Sequence, residues 1–541
     1  MSVCYNSRVC NLCVSRVWGV GGMDLSGYAY SGKRAATRVP NTPRTSPKHN
    51  GRWSVLDNDA VAEVFAGFDD RELARVSGVD RRTLRVARPM IRAVLGLSES
   101  QWDVFDAVLH RREDVLLMGA PGTGKSFLLN VLVERVPRPM VTASTAAAAE
   151  KLSSAGTVHS ALGLGIGPRT AERVVAGLAK FQHYPNSTMS SIKTARTLVV
   201  DEVSMLSAKT LSTVEEVLLL VRGGKKRMPQ LIFSGDPMQL KAVDAKENGN
   251  FHTAAVVQRL RPYVLTESFR QTADSPFLRI LNSARMGKAR EADVDWLRAH
   301  FSPSVRADAP RLFCRLRDVI NYNSDKLSHL NAPVFFYPPS VTGTVPSNIP
   351  QDRWGGIYLA VGARVVLSRN LPEYIGTLHN GSCGTVTALE QKLCARVRFD
   401  CGVEATIKKY VQEFKDNDDK VVGTHTFLPL MLAWAVSIHR AQGATLDAMH
   451  VDLKDCFEPG QAYVALSRVR EAAHAQVDGL ALHHLNNINK DALAFYNECA
   501  ERSEARAERH RERERQALER ECDVSDEALV AMMDAFESRN V

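Results

Sequence analysis

The sequence has no long apolar run and no dense set of cysteines. None of its apolar stretches approaches the roughly 20 residues that a membrane-spanning helix needs. Its ten cysteines are scattered over 541 residues, whereas small secreted proteins held together by disulfides carry cysteine far more densely. We therefore expect neither a transmembrane protein nor a secreted one, but a protein of a reducing, intracellular compartment.

The charge balance is only mildly basic. The formal net charge is +9 and 24% of the residues are charged. Such a balance permits a nucleic-acid partner without requiring one. The hydrophobic share of 45% is ordinary for a globular protein, and the length allows two or three domains with sizeable cores.

Acidic residues are almost missing from the first 52 residues. Asp24 is the only one among several Arg and Lys and many Ser, Thr, Pro and Gly. Because this composition cannot bury a core, we interpret residues 1–52 as a disordered basic tail. An organelle transit peptide and a flexible tail that touches nucleic acid both have this composition, and both interpretations stay open. The pair Cys10 and Cys13 has no second pair nearby, which argues against a zinc site.

A glycine-rich loop is the clearest motif of the chain. The stretch GAPGTGKS lies between an apolar run that predicts a buried strand, Val115–Met118, and a predicted helix, Phe127–Leu132. Strand, glycine loop and helix are the context that a phosphate-binding P-loop requires, because backbone N–H groups and the helix N-terminus attract phosphate oxygens. The predicted triphosphate-binding residues are Gly119, Ala120, Pro121, Gly122, Thr123, Gly124, Lys125 and Ser126.

Two side chains of this loop and two later carboxylates form the predicted catalytic centre. Lys125 would hold the β- and γ-phosphates, and the Ser126 hydroxyl would bind Mg²⁺. Further on, the apolar strand Leu198–Val200 ends in Asp201 and Glu202. Asp201 is placed to hold Mg²⁺ through water, and Glu202 is placed to polarise the attacking water. The second acid favours an ATPase over a switch or kinase P-loop protein.

Strand and helix patterns alternate from about residue 97 to residue 482, which predicts parallel α/β layers. The stretch from 354 to 426 differs, because it is rich in Gly and Val and has turn signals at Asn380–Gly381 and Asp400–Gly402. This pattern predicts a small antiparallel barrel inserted into the second α/β unit.

Five further motifs follow the P-loop in a fixed order. They are DEVSML at 201–206, GDPMQL at 235–240, SFRQ at 268–271, IHRAQGAT at 438–445 and YVALSR at 463–468. With LSESQ at 97–101, VTAST at 141–145 and TVHS at 157–160, this ordered set resembles the superfamily-one DNA helicases. Within that superfamily it is similar to the RecD-like branch and its Pif-type (petite-integration-frequency) members. The resemblance covers roughly residues 97–470.

The resemblance implies a fold class and a domain order. The class is α/β, with two RecA-like P-loop NTPase domains, an inserted small β-barrel and a small helical N-terminal module. The predicted segments are 1–52 for the tail, 53–95 for the helical module, 96–262 for RecA-like domain 1 with a wedge insertion at about 164–195, 263–353 and 427–489 for RecA-like domain 2, 354–426 for the barrel and 490–541 for a charged helical tail.

The resemblance also implies roles around the nucleotide. Gln101 would read the adenine edge, since its amide offers a paired donor and acceptor. Gln239 would contact the γ-phosphate and the attacking water. Arg270 and Arg468 would be arginine fingers from the second domain, because a guanidinium in the cleft neutralises transition-state charge. The implied cofactors are ATP and Mg²⁺.

A different set of side chains is implied for DNA. Its members are mostly neutral donors, whose bonds to phosphate form and break at each step and carry no sequence information. They are Thr142, Thr157, His159, Ser160, Ser437, His439 and Gln442. In related helicases the barrel also holds single-stranded DNA and is tied to 5′-to-3′ movement, and that polarity comes from the resemblance alone.

Both ends of the chain carry further patterns. Residues 53–95 show short helices with apolar faces, similar to an F-box that docks on the Skp adaptor of ubiquitin ligases, and a helical bundle packed on the motor explains the same pattern. Residues 490–541 are dominated by Arg and Glu, which predicts a solvated helix with i,i+4 ion pairs and last turns that dock on the motor.

The predicted function is that of an ATP-dependent, 5′-to-3′ DNA helicase in replication, repair or recombination. It would work as a monomeric motor on single-stranded and forked DNA, in the nucleus, the mitochondrion or both. One alternative is a translocase or RecD-like subunit that does not unwind DNA alone. Another is an F-box adaptor that links a ubiquitin ligase to DNA.

Overall fold

Two parallel sheets, each at the centre of an α/β lobe, carry the predicted motifs. The computed structural model describes residues 92–522 except 93–94, 150, 154, 166–169, 181, 183–186, 225–227, 270–274, 307, 345–355, 370, 375–377, 379, 391–392 and 416–419. All described residues lie in one unit, Leu56–Ala535. The predicted tail 1–52, nearly all of the module 53–95 and the last residues, 523–541, lie outside the described residues.

The first lobe is built on a six-stranded sheet. Its helices and strands are α1 Glu99–Leu109, β1 Val115–Gly119, α2 Lys125–Val133, β2 Pro139–Ala143, α3 Ala146–Ala149, β3 Gly156–Thr157, α4 Val158–Ala161, α5 Ala171–Lys180, α6 Thr188–Thr194, β4 Thr197–Asp201, α7 Ala208–Arg222, β5 Gln230–Gly235, α8 Ala245–Asn248, α9 Ala255–Arg259 and β6 Arg261–Leu265. The strands are parallel in the order β3-β2-β4-β5-β1-β6. Because β6 pairs with β1 as far as Leu265, the predicted boundary at residue 262 is too early.

Helices cover both faces of this sheet. Leu116 and Met118 of β1 pack in one core with α7, whereas Val115 and Leu117 pack in another with α1 and α2. Neighbouring residues of a strand point to opposite faces, so a parallel strand between two helical layers is apolar throughout. The predicted wedge insertion contains α5 and α6, which join the core on the α7 side.

The second lobe and its insertion fill the rest of the described chain. The elements are α10 Pro276–Arg285, α11 Glu291–His300, β7 Arg311–Phe313, α12 Leu316–Ser328, β8 Phe335–Tyr337, β9 Ser340–Gly343, β10 Ile357–Leu359, β11 Arg364–Leu367, β12 Cys383–Glu390, β13 Cys394–Phe399, β14 Glu404–Lys408, β15 Tyr410–Lys415, β16 Val421–Phe427, β17 Leu430–Leu432, β18 Ala435–Ser437, α13 Ile438–Ala441, β19 Met449–Asp452, α14 Gln461–Leu466, β20 Ala475–Asp478, α15 Leu482–Leu485 and α16 Lys490–Cys522. The lobe's own sheet is parallel, in the order β18-β7-β19-β20.

The insertion is antiparallel, as predicted, but wider than its predicted bounds of 354–426. It runs from Phe335 to Leu432. Its strands form a five-stranded sheet, β14-β13-β12-β11-β17, a three-stranded sheet, β15-β16-β9, and the pair β10-β8. Side chains from the five-stranded sheet and from the β10-β8 pair share one apolar core. The early strands were missed because their partners, such as β16 for β9, lie far along the chain.

The C-terminal helix α16 is docked along its first half, not solvated throughout. Phe495 and Cys499 belong to the core of the first lobe. The N–H of Val264 in β6 donates to the Ser503 hydroxyl at 3.1 Å, and the Arg506 guanidinium donates to the Pro262 carbonyl at 2.8 Å. The helix therefore covers the edge strand of the sheet. Among the described residues, no helix combines the length and the apolar character needed to span a membrane.

Candidate active site

The P-loop connects β1, the neighbour of the edge strand β6, to α2. Gly122 and Gly124 have φ angles of 88° and 79°, a left-handed conformation that favours glycine. The Lys125 ammonium lies buried inside the loop, where it donates to the carbonyls of Gly119 at 2.7 Å and Ala120 at 3.0 Å. Burial lowers the pKa of Lys125, although Asp236, Glu202 and Asp201 act in the opposite direction. The Lys125 side chain therefore ends inside the loop that is predicted to bind phosphate.

Two acids at the end of β4, Asp201 and Glu202, lie beside this loop. The Ser126 hydroxyl donates to Asp201 Oδ2 at 3.2 Å, and the Glu202 N–H donates to Asp201 Oδ1 at 2.9 Å. Burial and the adjacent Asp201 raise the pKa of Glu202 above its usual range, whereas Lys125 and Arg468 oppose that shift. A partly buried carboxylate that readily takes a proton suits a general base.

The side chains of Ser126 and Asp201 fit the chemistry of Mg²⁺. The ion prefers oxygen ligands and takes only one or two carboxylates when phosphate and water complete its shell. Ser126 and Asp201 supply one hydroxyl and one carboxylate, within 3.2 Å of each other. In the part of the chain that the structure describes, no three His, Cys, Asp or Glu side chains cluster as a metal cage.

Gln101 and Phe269 both bond the backbone of the P-loop. The buried Gln101 amide donates to the Thr123 carbonyl at 3.3 Å, and its oxygen accepts the Ser98 N–H at 3.1 Å. The Phe269 N–H donates to the Gly122 carbonyl at 2.8 Å, and its ring is 57% exposed. An open aromatic face beside a carboxamide can stack on a base. Phe269 was missed in the sequence, although it directly precedes Arg270 in SFRQ.

The GDPMQL segment carries a buried carboxylate and the predicted γ-phosphate sensor. Asp236 is fully buried, and it accepts hydrogen bonds from Arg285 Nη2 at 2.8 Å and the Tyr463 hydroxyl at 3.2 Å. The Gln239 amide nitrogen donates to Asp236 Oδ2 at 3.4 Å. Gln239 Oε1 is buried and has no hydrogen-bond partner among the described residues, so an acceptor is left for a ligand or a water. Arg285 lies outside every recognised motif, and the sequence alone gave no signal for it.

Arg468 comes from the second lobe, and its charge acts on Glu202 of the first. The side chain is buried, and its guanidinium donates to the carbonyls of Val464 at 2.7 Å and Ala444 at 3.1 Å. The predicted second finger, Arg270, lies outside the described residues. Arg468 is thus the predicted arginine finger whose position the structure describes.

Two of the predicted DNA contacts occupy matching positions in the two lobes. Thr157 ends β3 and caps α4, because its hydroxyl accepts the Ser160 N–H at 3.3 Å. Ser437 ends β18 and caps α13 by accepting the Arg440 N–H at 3.4 Å. His159 and Ser160 are exposed on α4. Each lobe therefore presents a short capped helix at the end of a parallel strand, a local structure suited to phosphate.

Each of the other predicted DNA contacts has a partner within the protein. Thr142 is fully buried, and its hydroxyl donates to the Val199 carbonyl at 2.7 Å, so it supports the sheet and not a surface. Gln442 is buried too, and its amide lies 3.5 Å from Glu202 Oε2. His439 Nε2 lies 2.8 Å from Glu458 Oε2. The prediction for Thr142 is thus wrong in this structure, and Gln442 faces the catalytic acid.

Comparisons with known proteins agree with this architecture. A family model described as an AAA domain matches residues 96–302. The chain is 33% identical over 422 residues to a zebrafish (Danio rerio) protein named ATP-dependent DNA helicase PIF1, covering 74% of this chain and 63% of that protein. The chain thus spans less than two thirds of that relative's length.

Solved structures of Pif1 helicases are also similar to this chain. The crystal structure of Pif1 helicase from Candida albicans matches with a TM-score of 0.65 and 26% identity, over 75% of this chain and 99% of that one. Pif1 helicase from Bacteroides in complex with ADP-AlF3 and ssDNA matches with a TM-score of 0.64 and 27% identity, over 75% and 97% of the two chains.

Proposed function

We propose that this chain, which is similar to Pif1 helicases over most of its length, is itself a Pif1-type, ATP-dependent DNA helicase that moves along single-stranded DNA. The observation that carries the proposal is the contact of Gln442, from the second lobe, with Glu202 of the first at 3.5 Å. The charge of Arg468, also from the second lobe, acts on the same carboxyl. An active site divided between two lobes can hydrolyse ATP only when the lobes are closed. Because hydrolysis requires closure, each round of ATP hydrolysis is coupled to a movement of the lobes.

The proposed chemistry assigns one task to each group. The backbone of the P-loop and Lys125 hold the phosphates, and Glu202 takes a proton from the attacking water. Gln239 orients that water through its unpartnered Oε1. Arg468 neutralises charge in the transition state, a contribution typically worth about 10³–10⁵ in rate. Mg²⁺ held by Ser126 and Asp201 would neutralise phosphate charge.

Gln101 and Phe269 would hold the adenine. The Gln101 amide already bonds the P-loop backbone at Thr123, so base binding and loop conformation share one side chain. The exposed ring of Phe269 would stack on the base, which gives affinity without much demand on geometry. Arg270, the next residue, retains the arginine-finger role that the resemblance implies.

DNA would cross the two capped helices, α4 and α13. Thr157, His159 and Ser160 on one lobe and Ser437 and His439 on the other would bind successive phosphates. Closing and opening of the cleft would change the distance between these two groups, which moves the strand. The 5′-to-3′ direction is inherited from the family resemblance.

Substitution of the P-loop lysine tests the proposal directly. We expect Lys125→Ala to abolish DNA-stimulated ATP hydrolysis, because the buried ammonium is the one cation inside the described P-loop. Phosphate release would be measured with and without single-stranded DNA. Lys209→Ala, an exposed lysine on α7, is the matched control. Unchanged turnover in Lys125→Ala would refute the assignment.

Unwinding is a separate part of the proposal. A helicase separates a forked duplex alone, whereas a translocase or RecD-like subunit hydrolyses ATP on DNA without separating it. A fork-unwinding assay on the purified chain distinguishes the two. Size-exclusion chromatography with and without DNA tests whether the motor acts as a monomer.

Residues 1–95 supply two further proposals, which concern partners and compartment. The helical module at 53–95 would bind a Skp-type adaptor, and a pull-down that recovers none with the module folded would remove the idea. The basic tail at 1–52 would direct the chain to the nucleus, the mitochondrion or both. Localisation of a tagged chain with and without residues 1–52 tests whether the tail directs the protein to either compartment.

A further inference from the structure

A buried ion pair joins the two lobes beside the catalytic centre. Asp236 comes from the GDPMQL segment of the first lobe, and Arg285 ends α10 of the second. The guanidinium donates from Nη2 to Asp236 Oδ1 at 2.8 Å and from Nε to both carboxylate oxygens at 3.3 Å. Asp236 is 0% exposed and Arg285 5%. Charges buried this deeply are kept only where their geometry matters or their partners are complete.

Two tyrosines complete the surroundings of the pair. The Tyr463 hydroxyl of α14 donates to Asp236 Oδ2 at 3.2 Å. The Arg285 guanidinium lies 4.2 Å from the centre of the Tyr496 ring of α16, within the range of a cation–π contact. Burial opposes ionisation of Asp236, yet Arg285 holds the pKa of this carboxyl below its usual value. The ion pair is thus charged and bounded by groups from both lobes and from the C-terminal helix.

The same carboxylate holds the predicted sensor of the γ-phosphate. Gln239 Nε2 donates to Asp236 Oδ2 at 3.4 Å, so the amide oxygen faces the other way and is left without a partner among the described residues. The next residue, Leu240, packs in the apolar core of the second lobe. A continuous set of contacts therefore runs from Tyr496 through Arg285 and Asp236 to Gln239.

Tyr496 belongs to a helix that is fixed on the first lobe. On the same helix, Phe495 stacks against His252 with ring centres 5.1 Å apart, and Ser503 and Arg506 bond the backbone of β6. The position of the Tyr496 ring is consequently set by the docking of α16. None of the helicase motifs in the sequence includes this helix.

We propose that Arg285 and Tyr496 are positioning residues for ATP hydrolysis: they fix Asp236, and through it the Gln239 amide, in the orientation that the attacking water requires. This inference rests on the proposed function. It makes the C-terminal helix a part of the motor and not only a cover for the sheet edge. A merely structural ion pair would stabilise the fold without affecting the chemical step.

The test separates catalysis from binding and from folding. In the full chain, Tyr496→Leu removes the ring face and Tyr496→Phe keeps it. We expect Tyr496→Leu to lower kcat of DNA-stimulated ATP hydrolysis about tenfold, with KM for ATP and Kd for a single-stranded oligonucleotide changed less than about twofold. Tyr496→Phe should retain the rate of the unchanged protein, because the cation–π contact is preserved.

Two further variants complete the design. Arg285→Lys should lower kcat more than Tyr496→Leu does, because an ammonium cannot make the paired hydrogen bonds of a guanidinium. Glu504→Ala changes an exposed side chain of the same helix, and kcat should stay unchanged. If Arg285→Lys does not fold, the comparison of Tyr496→Leu with Tyr496→Phe still decides the matter.

Two outcomes would overturn the inference. One is an unchanged kcat in Tyr496→Leu, and the other is a fall in kcat that Tyr496→Phe or Glu504→Ala shares. A chain that hydrolyses no ATP in the presence of DNA would instead refute the proposed function, before any variant is made. The two failures are therefore distinguishable.

Discussion

Glu202 has a backbone conformation that residues other than glycine rarely adopt. Its φ of 53° lies in the left-handed region, where a Cβ atom costs roughly 1–2 kcal/mol. The hydrogen bond from its N–H to the Asp201 carboxylate offsets part of this cost. Strain at the end of a strand in an active site indicates that the side-chain position is needed. Here the strain keeps the carboxylate beside Asp201 and against the second lobe.

Gln442 should act on hydrolysis and not on DNA affinity. Its amide contacts Glu202 at 3.5 Å, while its own segment begins at Ser437 on the proposed DNA surface. We expect Gln442→Ala to lower DNA-stimulated kcat about tenfold and to leave the Kd for single-stranded DNA unchanged.

Ser437→Ala is the matched variant for Gln442→Ala, because it removes a hydroxyl at the other end of the same helix. It should weaken DNA binding and leave the rate at saturating DNA near normal. Fluorescence anisotropy and phosphate release measure the two quantities. A loss of DNA affinity in Gln442→Ala would return this residue to the set of DNA contacts that the family resemblance implies.

Phe269 should contribute to nucleotide affinity. Stacking of a base on an aromatic side chain is worth about 1–3 kcal/mol, so Phe269→Ala should raise KM for ATP roughly tenfold or more while kcat changes little. Phe457 is equally exposed, at 56% against 57% for Phe269, and Phe457→Ala should leave KM unchanged. Equal values of KM in both variants would mean that the ring does not touch the base.

At the scale of elements, α16 covers the edge strand β6, as a further strand of the sheet would. Its side chains bond β6 at Val264 and Pro262, and the Arg506 guanidinium lies 4.9 Å from the centre of the Tyr263 ring. An uncovered edge strand tends to pair with other chains. The helix therefore protects the first lobe from aggregation as well as adding to its core.

Loss of the main apolar contact of α16 should destabilise the protein. Phe495 packs in the first core against Phe251, with ring centres 6.0 Å apart. A buried Phe→Ala substitution typically costs 3–5 kcal/mol, so we expect Phe495→Ala to lower the urea midpoint clearly. Glu504→Ala, an exposed position on the same helix, should leave it within error. If both variants unfold at the same urea concentration, the helix is not docked.

The elements that carry motifs were predictable, and some of their neighbours were not. β1, β4 and β5 are apolar throughout because helices cover both of their faces, so each stood out ahead of its motif. Residues 432–436 are as apolar as one such strand, but the chain passes there from β17 to β18. The Ala433 N–H donates to the Arg364 carbonyl in the insertion, whereas the Trp434 carbonyl accepts from Arg311 in the second lobe. Hydrogen-bond partners so far along the chain leave no local signal.

Part of the candidate site was predictable as well. Lys125, Ser126, Asp201 and Glu202 converge because the carboxyl ends of neighbouring parallel strands meet at one sheet edge, and that could be inferred from the sequence. The roles of Arg285 and Tyr496 could not be inferred, because an ion pair or ring contact between distant helices depends on how the lobes pack. For the same reason Gln442 was assigned to DNA although it faces Glu202.

In the whole molecule, the two lobes meet through the motifs themselves. Leu240 of the first lobe packs in the core of the second, and the Lys151 ammonium donates to the Gly443 carbonyl across the cleft. Gly460, at the start of α14, lies against the Met238 carbonyl of the first lobe. The interface between the lobes is therefore also the active site.

Gly460→Ala should disturb this interface. The glycine has a φ of 80°, and a Cβ atom there would lie 2.7 Å from the Met238 oxygen. We expect kcat to fall roughly 10²-fold, the effect of a misplacement of about 1 Å in an active site, with little change in ATP binding.

The matched control for Gly460→Ala is Gly402→Ala. Gly402 has a similar φ of 87° and no atom within 4 Å of the added methyl position, so this variant carries the backbone strain without the clash. Steady-state kinetics on both proteins separates the two effects. Equal rates would show that strain alone, and not the contact between lobes, explains any loss.

The docking of α16 has a mechanical consequence. The chain passes from the first lobe to the second after β6, and it returns between α15 and α16 through only the four residues 486–489. That segment can span at most about 14 Å at roughly 3.6 Å per residue. Two bodies joined at two points retain mainly one relative motion, a swing about the line through both joints. Each ATP cycle would then change a single angle, and the distance of Thr157 and Ser437 from that line would set the length of the step along DNA.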